Sequence, residues 1–226
     1  METVRNNGEN GREFALRVIR NAIVHLELEP GCKLDINELA KELGLSRTPV
    51  REALQDLAQA QIVEIIPQSG SRVTLVDFDM VEEAVFVRLT LECAMIQRIC
   101  AMEQAPDFCN MQSNLLLQEN SISMGAVDEF KKLDDRFHYM LFENAGCVRT
   151  YHTYIGMMVH FDRIREMNVR TVDNGESVME HRKILEAITR KDPDTACAYL
   201  RKHLQRYKAD QEIVKQKYAM FMSTNN

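Results

Sequence analysis

Apolar residues near the start of the chain recur at helical intervals. Ala15, Val18, Ile19, Ala22, Ile23 and Leu26 are spaced by three or four, which predicts a helix from about Gly11 to Leu26. Glu29-Pro30-Gly31 then turns the chain. Asp35 suits the cap of a short helix, with Glu38 three residues on as its capping-box partner and Leu39, Ala40 and Leu43 facing inward. Gly44 supplies the permissive backbone for a tight turn. Thr48 as N-cap and Pro49 at the first helical position open the next helix, whose core stripe is Val50, Ala53, Leu54 and Leu57. The apolar, turn-rich run Ile62–Leu75 reads as a β-hairpin with Gln68-Ser69-Gly70-Ser71-Arg72 at its tip.

From Asp77 strand-like patterning gives way to helical periodicity. Six helices are expected, over about 78–102, 106–121, 126–144, 148–166, 175–190 and 193–217, with breaks at Asp173-Asn174-Gly175 and Lys191-Asp192-Pro193. Connections this short predict one antiparallel bundle. The expected fold class is therefore mainly α. Residues 1–76 form a winged helix-turn-helix and 77–226 an all-α helical bundle, with the final Met222–Asn226 frayed.

A helix, a tight turn and a second helix with arginines on its outer face is the layout that enters a DNA major groove. The face opposite the core stripe carries Arg47, Thr48, Arg51 and Gln55, free for phosphates or base edges. Arg72 at the hairpin tip is a candidate for a phosphate or the minor groove. Net charge does not announce DNA. The chain carries 28 Lys/Arg against 34 Asp/Glu, and residues 1–76 hold nine against eleven. Positive charge must then be local, which predicts modest affinity per subunit and a need for dimerisation.

The 45% apolar and 27% charged composition is that of a soluble globular protein. No apolar run approaches the roughly 18–20 residues of a membrane span. The first ten residues have no apolar stretch of the kind a secretion signal needs, so a cytoplasmic location is expected. The six cysteines (Cys32, Cys93, Cys100, Cys109, Cys147, Cys197) show no Cys-x-x-Cys pair and read as buried reduced thiols.

Five of the six histidines lie in the second domain: His138, His152, His160, His181 and His203. Asp134 and His138 are four apart, hence neighbours on one helix face, amid Leu133, Phe137, Met140 and Leu141. That mixture points polar groups into a bundle core. His181 and His203 sit on further amphipathic helices, and three histidines with a carboxylate suit a divalent metal. Spacing alone does not bring the four together, and satisfied core or surface histidines remain the competing reading.

Two stretches carry a resemblance. Leu28-Glu29-Pro30-Gly31, Leu43–Leu54 and Gly70-Ser71-Arg72-Val73 resemble the GntR family of bacterial transcription factors. Arg88–Glu92, Asp134-Asp135-Arg136-Phe137-His138, Glu180–Ile188 and His203-Leu204 resemble its subfamily with a FadR-like C-terminal ligand domain (FCD), in the smaller VanR-like branch. The resemblance implies that Asp134, His138, His181 and His203 hold a divalent metal, zinc first, with nickel, manganese or iron as other candidates. It implies a small carboxylate effector, with Arg88 able to pair with it or with a bundle acid. His152 and His160 match no ligand position and read as structural. The family often has a basic residue where Asn37 stands and asparagine where Cys147 stands.

The expected function is a ligand-responsive transcription regulator, a repressor released by its effector. It acts as a homodimer on a near-palindromic double-stranded operator. Two alternatives follow from the same residues. A metal-dependent hydrolase would activate water at an open metal position, but leaves the N-terminal domain without purpose. A regulator sensing the metal itself would bind its operator in a metal-dependent way.

Overall fold

The computed structural model describes residues 4–171 and 174–223. The break expected at Asp173 and the last three residues of the fraying expected from Met222 lie outside the described residues. Met222, by contrast, is buried and bridges to Val76, and Ser223 N donates to Val76 O, so the chain is held there. Two compact units emerge. One takes in the chain up to Val81, Val159–Glu166 and the stretch from Lys215, and the other takes in Glu82–Met158 and Met167–Val214.

In the first unit α1 spans Gly11–Val24, and Asn10 and Glu13 cap it reciprocally. α2 spans Ile36–Glu42, with the Asp35 carboxylate accepting from the backbone N–H groups of Asn37 and Glu38. Gly44 follows at φ +65°, a conformation that costs a residue with a Cβ. α3 spans Arg47–Gln59, and its N-cap is Ser46. The helix thus begins earlier than the expected Thr48 cap. Pro49 falls within the first turn, where the backbone N–H groups have no intrahelical partner and the missing donor costs no bond.

β1 (Lys33–Leu34), β2 (Val63–Ile66) and β3 (Gly70–Val73) form an antiparallel sheet in the order β1-β3-β2. The hairpin register pairs Val63 with Val73 and Glu64 with Arg72. Pro67 and Gln68 occupy the tip, Gln68 at φ +63°, which meets the type II requirement for positive φ after proline. The two-residue β1, absent from the sequence expectation, is too short to carry an alternation. Phe14, Ile19, Ile23, Leu39, Val50, Leu54, Leu57, Ile62 and Val73 join one apolar core.

The second unit is helical. α4 (Phe78–Cys100), which begins in the first unit, is followed by α5 (Cys109–Ser123) and α6 (Val127–Asn144). α7 (Val148–Tyr154) passes through a 3₁₀ turn at Ile155–Met158 into α8 (Val159–Val169), of which Val159–Glu166 belongs to the first unit. α9 (Gly175–Thr189), α10 (Pro193–Leu204) and α11 (Tyr207–Lys217) complete it. Two of the six expected helices are therefore divided. Gly156, a poor helix former, marks the first break. The second, at Gln205-Arg206, contains no breaker residue and leaves no mark in the sequence. α5 packs along α6 and α9, and α9 along α10, around Phe137, Leu141, Ile184, Leu200 and Leu204. Among the described residues no helix is long and apolar enough to cross a membrane.

Candidate metal centre and nucleic-acid interface

Three helices deliver one polar cluster into the bundle. α6 presents Asp134 and His138 on one face, α9 presents His181, and His203 comes from the last turn of α10. One ligand atom from each of the four lies within 4.8 Å of all the others. His138 Nε2 is 3.2 Å and His181 Nε2 3.1 Å from His203 Nε2, while Asp134 Oδ1 is 3.5 Å from His181 Nε2. His138 and His181 are fully buried and His203 is nearly so.

The surrounding hydrogen bonds decide what those nitrogens present. Glu92 Oε2 lies 2.7 Å from His138 Nδ1. Gln118 directs its amide N–H to Asn114 Oδ1 and Leu133 O, leaving its oxygen 2.9 Å from His181 Nδ1. Glu180 Oε2 lies 3.3 Å from His203 Nδ1. Each partner is an acceptor, so each Nδ1 carries the proton and donates it. Each Nε2 is consequently a lone pair, and the three point at one another beside a carboxylate. Such an arrangement is repulsive unless an electrophile is shared.

Burial holds His181 well below the ordinary imidazole range, and neighbouring His203 adds to the effect. Burial likewise lowers His138, against the pull of Glu92. Protonation of the imidazoles is thus disfavoured, whereas a divalent cation accepts all three lone pairs. Metal–nitrogen bonds of about 2.0–2.1 Å place adjacent ligand atoms about 3 Å apart, which matches the spacing here. The donor set fits a borderline metal held by imidazole and carboxylate.

Around these lies a charged outer layer. Burial would raise the Glu92 carboxyl, but Arg88 and His138 pull it down to about 2. Arg88 Nε donates to Glu92 Oε1 at 2.7 Å, so this buried arginine engages a bundle acid. Burial also opposes ionisation of Glu180, where His203 and Lys202 restore it. The sequence reading did not single out Glu92, Gln118 or Glu180. The signal for Gln118 was available, since Asn114, Gln118 and Ser121 place polar groups on the buried face of α5 at helical spacing. Glu92 follows Arg88 by one turn, and Glu180 immediately precedes His181.

His152 lies near Tyr139 and Tyr151. His160 accepts from the fully buried Arg163 at Nδ1 (2.8 Å), and Arg163 also donates to Thr74 O (2.7 Å). Burial and Arg163 lower His160 to about 4. Of the cysteines only Cys100 is buried, Cys109 is exposed and the others are half-buried. All are free, but the expectation of buried thiols is corrected at those positions.

In the first unit Arg47, Thr48, Arg51 and Gln55 are exposed together along α3. Three other arginines of this unit are tied to acids. Arg12 forms a bidentate pair with Asp56, and Arg17 pairs with Glu9. Arg72 faces its register partner Glu64 at 2.8 Å across the hairpin. Among the described residues Arg47 and Arg51 have no such acidic partner.

Residues 12–73 match the gntR family of bacterial regulatory proteins, and residues 83–206 match the FCD domain. The chain belongs to the GntR family, in its FCD subfamily. The HTH-type transcriptional repressor RspR of Escherichia coli K12 is 31% identical over 91% of this chain and 90% of its own length. An HTH-type transcriptional regulator in an unstable DNA locus of Streptomyces ambofaciens is 34% identical, covering 88% and 84%. E. coli McbR/YncC shares the fold at a TM-score of 0.75 and 19% identity, covering 92% of this chain and 99% of that one. This GntR protein is a DNA-binding transcription regulator with a ligand-sensing C-terminal domain, and its relatives are regulators rather than enzymes.

Proposed function

We propose that this regulator is a repressor whose FCD domain holds one divalent metal through Asp134, His138, His181 and His203. In this reading residues 1–76 bind DNA and 77–226 sense the effector and dimerise. The observation that carries it is the convergence of three imidazole lone pairs, each fixed by an acceptor at the opposite ring nitrogen. Held by these four residues, such a cation, zinc first among the candidates, would supply the Lewis-acidic centre that attracts a small carboxylate effector.

The chain's own residues do the rest. Glu92, Gln118 and Glu180 fix the tautomer and ring orientation of the three histidines. Arg88 holds Glu92 ionised, and adjoins the effector to the extent that the effector reaches past the ligands. Arg47, Thr48, Arg51 and Gln55 enter the major groove, with Arg72 at the wing exchanging Glu64 for phosphate or the minor groove. Two copies on a near-palindromic operator double this sparse basic surface. The protein acts in the cytoplasm in this reading.

Elemental analysis of protein purified without metal-affinity resin tests the proposal. About one equivalent of a single divalent ion per subunit, lost in His181→Ala, is the expected result. Full metal content in that variant, or none in the parent after incubation with zinc, nickel and manganese, would overturn the ligand set.

A further inference from the structure

Two half-buried thiols meet where α4 passes α10. Cys197 Sγ lies 3.9 Å from the backbone carbonyl oxygen of Cys93, a contact that sets the two thiol-bearing residues side by side. Both retain some solvent access, unlike Cys100 further along α4, which is buried with its Sγ 3.9 Å from Ile188 O. Arg201, one turn beyond Cys197 on α10, adds positive charge near Cys93. No ligand or ordering role of the metal cluster uses either sulfur.

We infer that Cys93 and Cys197 form a peroxide-responsive dithiol that closes reversibly to an intramolecular disulfide. The charge distribution divides the roles. The neighbouring Cys197 side chain, with Arg201 nearby, pulls Cys93 below the ordinary thiol range against its burial. The Cys93 side chain beside it, with burial, pushes Cys197 up. Cys93 is the attacking sulfur, since the thiolate is the nucleophile.

The Cys93 thiolate attacks one peroxide oxygen. The O–O bond breaks and the departing oxygen takes a proton to leave as water or alcohol, giving a sulfenic acid. The Cys197 sulfur then attacks the Cys93 sulfur. The S–O bond breaks, and the hydroxyl leaves as water with the Cys197 proton. One peroxide is reduced, two thiols are oxidised, and an S–S bond forms. A thiol reductant reverses the change by exchange.

Cys109 is the competitor that exposure alone would favour. The Asp107 carboxylate beside it raises its thiol, which keeps it protonated. The bridge would join the helix bearing Glu92, the residue before Cys93, to the helix bearing His203.

The test uses the full-length reduced protein, titrated with hydrogen peroxide, then denatured, alkylated and mapped by mass spectrometry without reduction. The expected result is loss of two of the six alkylatable thiols and a linked Cys93–Cys197 peptide pair, reversed by dithiothreitol. Cys197→Ser should stop at a dimedone-reactive sulfenic acid on Cys93, while Cys100→Ser should still form the bridge. Full alkylation of Cys93 and Cys197 after excess peroxide would overturn the inference. So would oxidation confined to Cys109, or a bridge through Cys100. Because the parent protein is itself mapped, a variant that fails to fold does not remove the test.

Discussion

Replacing Glu92 by glutamine exchanges one carboxylate oxygen for an amide N–H₂ and sets up a conflict the structure cannot resolve. Glu92 is wholly buried and accepts twice, from Arg88 Nε and His138 Nδ1, each at 2.7 Å. Glutamine offers one acceptor oxygen and one donating N–H₂ group. If the oxygen keeps Arg88, the amide donor faces His138 Nδ1 and selects the other tautomer, placing a proton on Nε2. If the oxygen keeps His138, the amide N–H₂ faces the donating Nε of Arg88, donor against donor. Either outcome removes the carboxylate charge paired with buried Arg88 and costs about 3–5 kcal/mol of stability, as removal of one member of a buried ion pair does. The first removes a ligand lone pair and weakens metal binding by roughly 10–100-fold, the effect of losing such a supporting carboxylate. Urea unfolding at neutral pH reads the stability, and competition with a chromophoric chelator reads zinc affinity. A Glu92→Gln protein matching the parent in both would refute the tautomer assignment and the metal centre built on it.

Arg51→Ala should weaken operator binding by about 1–3 kcal/mol if the side chain reads a base, or lower the salt-dependence slope by about 1 if it contacts phosphate. Fluorescence anisotropy at several salt concentrations distinguishes these, and unchanged affinity removes Arg51 from the interface. His181→Ala should lose metal and effector response while the free form still shifts operator DNA in a gel. An intact effector response in that variant would detach sensing from the cluster. Zinc at about 100 times its dissociation constant should stabilise the folded chain by ~2.7 kcal/mol. A melting temperature insensitive to zinc would count against a site formed only on folding. His160 is held near 4 by burial and Arg163, below its ordinary 6.5. A depressed folded-state value means the unfolded chain binds the extra proton first. Stability present above about pH 6.5 is therefore lost as pH falls towards 4. Unfolding midpoints across that window should fall more steeply in the parent than in His160→Gln.

What could be read in the sequence followed physical periodicity. Val50, Ala53, Leu54 and Leu57 are buried and Arg47, Arg51 and Gln55 exposed because one amphipathic helix separates them. Asp134 and His138 share a face for the same local reason. Their meeting with His181 and His203 depends on how α6, α9 and α10 pack, and no spacing within one helix contains that. The resemblance to relatives supplied it instead. The division between α10 and α11 left no trace, because Gln205 and Arg206 are ordinary helix formers. The Thr48 cap was displaced to Ser46 because proline is compatible with any position in a first turn, so it marks a helix start only loosely. The Glu64–Arg72 pair needed the hairpin register, which turn geometry sets.

The pairing of Arg12 with Asp56 and Arg17 with Glu9 leaves the DNA-binding unit with little charge to spend on arbitrary duplex. Attraction to random DNA grows with the number of phosphates neutralised, and a chromosome offers on the order of 10⁶–10⁹ competing sites. A regulator with few uncommitted cations is scarcely sequestered by that excess. Its operator occupancy is then expected to follow copy number and effector level more directly than that of a strongly basic regulator.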